Sequence, residues 1–596
     1  MPRVRLIRAL GLPQGGGWDL RDMKSFQEFE QLLDGHLARL ESLNCDANAV
    51  LGLVSNIQEH AASRMETFAL AVSFSHGVTI LAPHLVSGKE GPPPDIETLM
   101  SDLSFCVVYY SLREFLYYSY NVPGAVEWTF EDRKVQVRYT DPSLPRQFYT
   151  AWNEHLELSR EMFADSTYAE GARALLKGEV EGQISPNVEA ASLQIDQEVD
   201  QKLKAYFSIL DPTSSVDLGG YTYAEWLIVY RFMLGNALYH RRFGEANDKV
   251  GAIFIEYNEL MNDLEVATGL PPSRIARVLD DMVFDDTKHR EKLDASYFSL
   301  MREGAGARRI VLRPVDFTTH EGLVNVLRVV AIRRPQLFLR NVSGELGVGF
   351  VARVKAAFEA AGFRCLTEIS LSQFDPQLPD IDLLVICEEP TLGYVLFVCE
   401  LKGVIPPSWA KDQLKALRQD GVSKAFRQSK AIQKFLRTPT GISAMKSWLP
   451  PDKPPRFESF VLVVEPLIVT SDNAGMFFGD EKTPIASFRT IERLLKASDG
   501  DTAFIQHVIH TYDEEVDKII NRVVAKAEFA GIVVEYEGVT DSPIMRFPQQ
   551  SWRNSAERQG MLNEFLAGDA HPFDVVDVDA KEMPPGTILI AFKGGS

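Results

Sequence analysis

Apolar runs long enough to cross a bilayer are missing: none approaches the ~20 residues that a spanning helix needs. Cysteine is scarce as well. The five that occur, Cys45, Cys106, Cys365, Cys387 and Cys399, show no CxxC spacing, which argues against a zinc or dithiol motif and points to free thiols in a reducing compartment. Positive charge is short: 62 Lys and Arg stand against 82 Asp and Glu, a formal net charge of −20. That balance opposes indiscriminate binding to a polyanion. The opening residues, Met1-Pro2-Arg3-Val4-Arg5-Leu6, carry no long apolar segment with a cleavage site. A cytoplasmic protein without membrane contact is expected. No internal repeat or low-complexity tract is visible.

A chain of 596 residues allows about three to four domains. We expect a helical region with a β-hairpin over 1–145, a second helical region over 146–305, an α/β core over 306–475 and an α+β extension over 476–596. Apolar residues recur at helical spacing in Ser25 to Leu43 and in Tyr223 to Tyr239, so a homo-oligomer or a protein partner is expected to use this helical half. Alternation of Val126, Trp128 and Phe130, then Val135, Val137 and Tyr139, around Glu131-Asp132-Arg133-Lys134 predicts a hairpin. Late in the chain we expect a long helix from Thr502 to Phe529 and strands at Ile532 to Tyr536 and Thr587 to Phe592.

The most informative stretch is Leu378-Pro379-Asp380-Ile381-Asp382-Leu383-Leu384-Val385-Ile386, followed by Tyr394-Val395-Leu396-Phe397-Val398-Cys399-Glu400-Leu401-Lys402. Side chains alternate along a strand, so Val398, Glu400 and Lys402 share one face. The intervening Glu388-Glu389-Pro390-Thr391-Leu392-Gly393 has hairpin-turn character. Antiparallel pairing then brings Asp382 near Glu400. Two carboxylates and the backbone carbonyl of Leu401 suit Mg²⁺ (or Mn²⁺), which keeps waters and takes phosphate oxygens, while the Lys402 ammonium steadies developing negative charge. Asp382 and Glu400 are assigned as metal ligands, and Asp380 to shaping the turn.

These residues resemble the PD-(D/E)xK nuclease superfamily, the restriction-endonuclease-like fold, with Pro379 and Asp380 or Asp382 as the first half of the motif and Glu400-Leu401-Lys402 as the second. The resemblance implies a helix, a strand meander carrying the motif, then helix, strand and helix. Glu345 to Ala361, Phe363 to Ile369, Lys411 to Leu436 with a break near Gly421, and Phe460 to Thr470 supply that order. It further implies roles for Glu345 on the first helix and for Gln428, with Lys424, on the helix after the motif. A nuclease joined to a regulatory region resembles prokaryotic defence or restriction systems.

Charge adds an independent expectation. Lys411, Lys415, Arg418, Lys424, Arg427, Lys430, Lys434 and Arg437 face only Asp412 and Asp420, and an upstream basic stretch runs from Arg302 to Arg340. Both flank the motif, so DNA contact is expected, with Lys411, Lys415, Lys424, Arg427 and Lys430 as the leading candidates and RNA as the alternative polyanion. Gly344-Glu345-Leu346-Gly347-Val348-Gly349-Phe350 lacks the Lys-Ser/Thr of a P-loop and reads as a tight helix entry. His507 and His510 lack a third ligand and read as a solvated pair. The whole points to a metal-dependent endonuclease acting on DNA; the competing class is a non-catalytic nucleic-acid-binding or assembly protein with a nuclease-like scaffold.

Overall fold

The computed structural model describes residues 24–63, 67–141, 144, 154, 157, 164–206, 210–285, 293–304, 309–318, 320–389, 393–403, 405, 407, 410–412, 414, 421–450, 460–471, 483–520, 522–539 and 587–592. The chain forms two compact units: one from residues 1–142, 152–344 and 522–540, the other from 143–151, 345–521 and 541–596. Helices predominate, with three sheets among the described residues. No described helix is long and apolar enough to cross a membrane.

This division differs from the four expected regions. Residues 309–344 belong with the helical unit, and so does a strand pair from the C-terminal stretch. The first unit's hairpin, Val126–Glu131 with Lys134–Tyr139, turns at Arg133, whose φ is +54°. Its second strand is extended in parallel by Ile532–Val539, which pairs in turn with Arg522–Phe529. The expected helix from Thr502 to Phe529 therefore stops at Ile519, and its last third is strand. The cause is local and tertiary together. Ala530 and Gly531 both take positive φ, +51° and +75°, as a two-residue hairpin turn requires, while Phe529, Ile532 and Val534 close a core with Phe29, Leu33, Phe105 and Val135.

The second unit is built on one mixed sheet. Helix α1 (Ser343–Ala360) leads into strands β1 (Arg364–Ile369), β2 (Ile381–Glu389) and β3 (Gly393–Lys402), an antiparallel meander. Helices α2 (Val422–Leu436) and α3 (Pro439–Trp448) follow, then β4 (Phe460–Thr470), parallel to β3. Strand β5 (Ile485–Ser487), helices α4 (Phe488–Ser498) and α5 (Thr502–Ile519) and strand β6 (Ile588–Phe592) complete the described elements. Both β5 and β6 pair with β4, so the sheet reads β5-β4-β3-β2-β1 with β6 beside β4.

Strands buried on both faces need near-continuous apolar sequence, and β3 and β4 supply it. On one face Val395, Phe397, Cys399 and Leu401 pack with Val461, Val463, Leu467 and Val469 under Phe350, Val354 and Phe358 of α1 and Ile491 and Leu494 of α4. On the other, Tyr394, Leu396 and Val398 pack with Leu462 and Val464 under Ile432, Phe435 and Leu436 of α2 and Met445 of α3. Cys365, Cys387 and Cys399 are free and buried in the first of these cores.

Candidate active site

Alternation fixes which face carries the polar groups. Glu400 and Lys402 continue the Tyr394, Leu396, Val398 series toward the α2 side, at the C-terminal end of β3. The register Leu383↔Cys399, extended by one residue, sets Asp382 opposite Glu400. The three side chains meet there. Asp382 Oδ2 accepts the Leu401 N–H at 2.7 Å, Lys402 Nζ lies 3.9 Å from the same Asp382 oxygen, and Lys402 Nζ is ion-paired with Glu400 Oε1. Asp380 instead accepts the Leu371 N–H at 3.3 Å, bracing the connection between β1 and β2.

Burial makes the cluster electrostatically demanding. Glu400 is only 2 % exposed, and its carboxyl is pushed up to about 7, first by that burial and then by the neighbouring Asp382, against the pull of Lys402. The second oxygen, Oε2, is buried with no hydrogen-bond partner among the described residues. Native interiors rarely leave such an acceptor unsatisfied, and a cation is one group that satisfies it. Among the described residues no set of three or more His, Cys, Asp or Glu side chains is arranged to hold a metal. A metal here would therefore have two carboxylates and the Leu401 carbonyl, a donor set that suits Mg²⁺, an ion that retains several waters.

The flanking candidates divide. Gln428 lies on α2, which packs against β3, and its Oε1 is buried without a hydrogen-bond partner among the described residues. Lys424, Arg427 and Lys430 are exposed on the same helix, Lys411 is exposed before it, and Lys415 lies outside the described residues. Glu345 is exposed in the first turn of α1; no hydrogen bond joins it to Asp382, Glu400 or Lys402. That turn does approach the end of β3: a Cβ added at Gly403 would lie 3.5 Å from the Leu346 carbonyl oxygen.

The upstream basic stretch belongs to the first unit, and five of its arginines are paired internally. Arg302 pairs with Asp285, Arg309 with Glu303, Arg313 with Asp316, and Arg333 and Arg334 with Asp281. For these five the expectation of free charge beside the motif is corrected; Arg328 donates to the Asn325 side chain and Arg340 to the Asn341 side chain.

Sequence reasoning missed a second buried carboxylate. Glu465 of β4, 3 % exposed, accepts from Gln506 Nε2 at 2.8 Å and Thr587 Oγ1 at 2.7 Å and meets His510 Nε2 at 3.0 Å. His510 is thus a mostly buried partner of Glu465, not half of a solvated pair. The signal was a lone carboxylate inside the apolar run FVLVVEPLIVT.

No known protein family matches this chain, and no curated protein or solved structure does so either.

Proposed function

We propose that the second unit is a metal-dependent nuclease that hydrolyses phosphodiester bonds, with DNA as its substrate. One observation carries the reading: Asp382, Glu400 and Lys402 converge at the end of one strand pair, with a buried Glu400 oxygen that nothing among the described residues satisfies. The order of α1, the β1–β3 meander, α2 and the parallel strand β4 supports it, being the order that the restriction-endonuclease-like fold requires.

Asp382, Glu400 and the Leu401 carbonyl would hold Mg²⁺ or Mn²⁺. When bound, the ion supplies charge that polarises the phosphate and lowers the pKa of a coordinated water. The protein's own groups do the rest. Leu401 N–H fixes the Asp382 carboxylate, so this ligand loses little freedom on binding. Lys402, tethered to Glu400, places an ammonium where charge builds on the phosphate in the transition state. Gln428, carried on the helix that covers β3, offers an amide to orient a water or a phosphate oxygen.

Incubation of the full chain with plasmid, oligonucleotide duplex and RNA in Mg²⁺, Mn²⁺ or EDTA tests the reading. Cutting in metal and none in EDTA is expected, with a loss of at least ~100-fold in Glu400→Gln and Lys402→Ala, a usual scale for removing a transition-state group. Intact folding but no cleavage of either polyanion under any of these conditions leaves the scaffold class instead.

A further inference from the structure

The two basic stretches have opposite fates. Five arginines of the first unit's stretch, Arg302, Arg309, Arg313, Arg333 and Arg334, each face a carboxylate, whereas the exposed positions on α2 and its C-cap are Lys424, Arg427, Lys430, Lys434 and Arg437, every one a cation. Between residues 421 and 450 there is no Asp or Glu at all, in a chain of net charge −20. Lys424, Arg427, Lys434 and Arg437 have no ion-pair partner among the described residues. Spacings of three, three, four and three residues align the five along one side of the helix, where like charges repel and weaken it. The inner face of α2, with Ile432, Phe435 and Leu436, already secures the packing. Lys424, Arg427, Lys434 and Arg437 therefore have no counter-charge among the described residues and stand available to an external anion.

We infer that the outer face of α2 is a ridge that binds the sugar-phosphate backbone of a nucleic-acid strand independently of sequence. The identity of the polyanion rests on the nuclease reading; the ridge itself rests on the charges. From Lys424 to Arg437 the axis advances about 20 Å at 1.5 Å per residue, enough to run beside about four successive phosphates. Such contacts position a strand but carry no base information. The inner face of the same helix bears Gln428, so strand binding outside and the packing over β3 share one rigid element.

Anisotropy of labelled 20-nucleotide single strand and 20-base-pair duplex, titrated with the full chain in EDTA over a range of NaCl, reads binding without chemistry. The variant Lys424→Gln/Arg427→Gln/Lys434→Gln/Arg437→Gln is compared with wild type. A charge-matched control, Arg138→Gln/Lys177→Gln/Lys204→Gln/Lys249→Gln, alters four exposed cations of the first unit. We expect the ridge variant to lose at least ~50-fold in affinity and the slope of log K against log[salt] to shrink by about 3, the counterion release of roughly four phosphates. The control keeps wild-type binding. Equal affinity and slope in the ridge variant, an equal loss in the control, or wild-type binding to anionic vesicles but to no nucleic acid overturns the ridge. Wild-type cleavage together with an unimpaired ridge variant sinks this inference and spares the nuclease reading. Ridge-dependent binding without cleavage does the reverse.

Discussion

Asp382 accepts the backbone N–H of Leu401 at 2.7 Å, a contact that ties a side chain of β2 to the strand across from it. This bond is the difference between a carboxylate that wanders and one that waits beside Glu400. Asp382→Asn keeps an acceptor for Leu401 but removes the charge, so it should fold as wild type and lose cleavage by at least ~100-fold. Asp382→Ala should lose both, with a lowered melting temperature. Circular dichroism melts alongside the cleavage assay separate the two effects.

Ionisation of Glu400 sets the expected pH profile. Burial and Asp382 raise its carboxyl to about 7, so in the metal-free protein the ligand form dominates only above that pH. Single-turnover cleavage at limiting Mg²⁺ should rise about tenfold per pH unit below about 7 and level off above it. Saturating metal should move the midpoint down, because the cation favours the charged carboxylate. A flat profile from pH 5.5 to 8 with limiting metal contradicts this assignment.

The first unit makes a separate prediction through Glu59. Its carboxyl is fully buried, accepts the Val315 N–H at 2.9 Å, and is raised to about 8, chiefly by burial, with Asp316 adding to the shift and Arg313 opposing it. The folded chain thus holds a proton that the unfolded chain has released above about 4.5. Stability must fall as pH rises from about 4.5 to 8, by at most on the order of 5 kcal/mol. Glu59→Gln keeps an acceptor and removes the charge. Its melting temperature should exceed wild type at pH 8.5 and match it near pH 5.

Glu345 tests how far the family pattern extends. It is exposed in the first turn of α1, while Glu400 is buried. A side chain with no contact to the cluster is expected to matter less, so Glu345→Gln should reduce cleavage by less than ~10-fold where Glu400→Gln removes it. Equal losses would place Glu345 among the ligands.

The triad was legible because the information is local: period-two alternation assigns the face of Glu400 and Lys402, and antiparallel pairing of β2 with β3 brings Asp382 back onto them. The fate of 522–529 was not legible. Arg522-Val523-Val524-Ala525-Lys526-Ala527-Glu528-Phe529 continues a helical run with Ala, Lys and Glu, good helix formers, and its strand identity depends on the sheet that Ile532–Val539 joins at Lys134–Tyr139, some 400 residues earlier in the chain. Tertiary pairing of this kind overrides propensity. Glu465 was hidden for the same reason, since its partners Gln506, His510 and Thr587 come from α5 and the approach to β6. Arg302, Arg333 and Arg334 looked available because their carboxylate partners, Asp285 and Asp281, lie 17 to 53 residues earlier.

Two glycines of the second unit should respond to alanine in opposite directions. Gly349 lies inside α1, where a helical glycine costs about 1 kcal/mol relative to alanine, and an added Cβ would meet nothing within 4 Å. Gly349→Ala should therefore raise the melting temperature, and so should Gly344→Ala, which meets equally open space. Gly393 opens β3 with φ +136° and sits against β4, where an added Cβ would stand 2.3 Å from the Val461 carbonyl oxygen. The obstacle is backbone in a fully buried strand pair, so neither side can yield without breaking the parallel register that carries β3 to Glu400. Gly393→Ala should cost about 2 kcal/mol or more, read as a lowered denaturation midpoint of the second unit. Cleavage should fall with it, because a shifted β3 moves Glu400 and Lys402 away from Asp382.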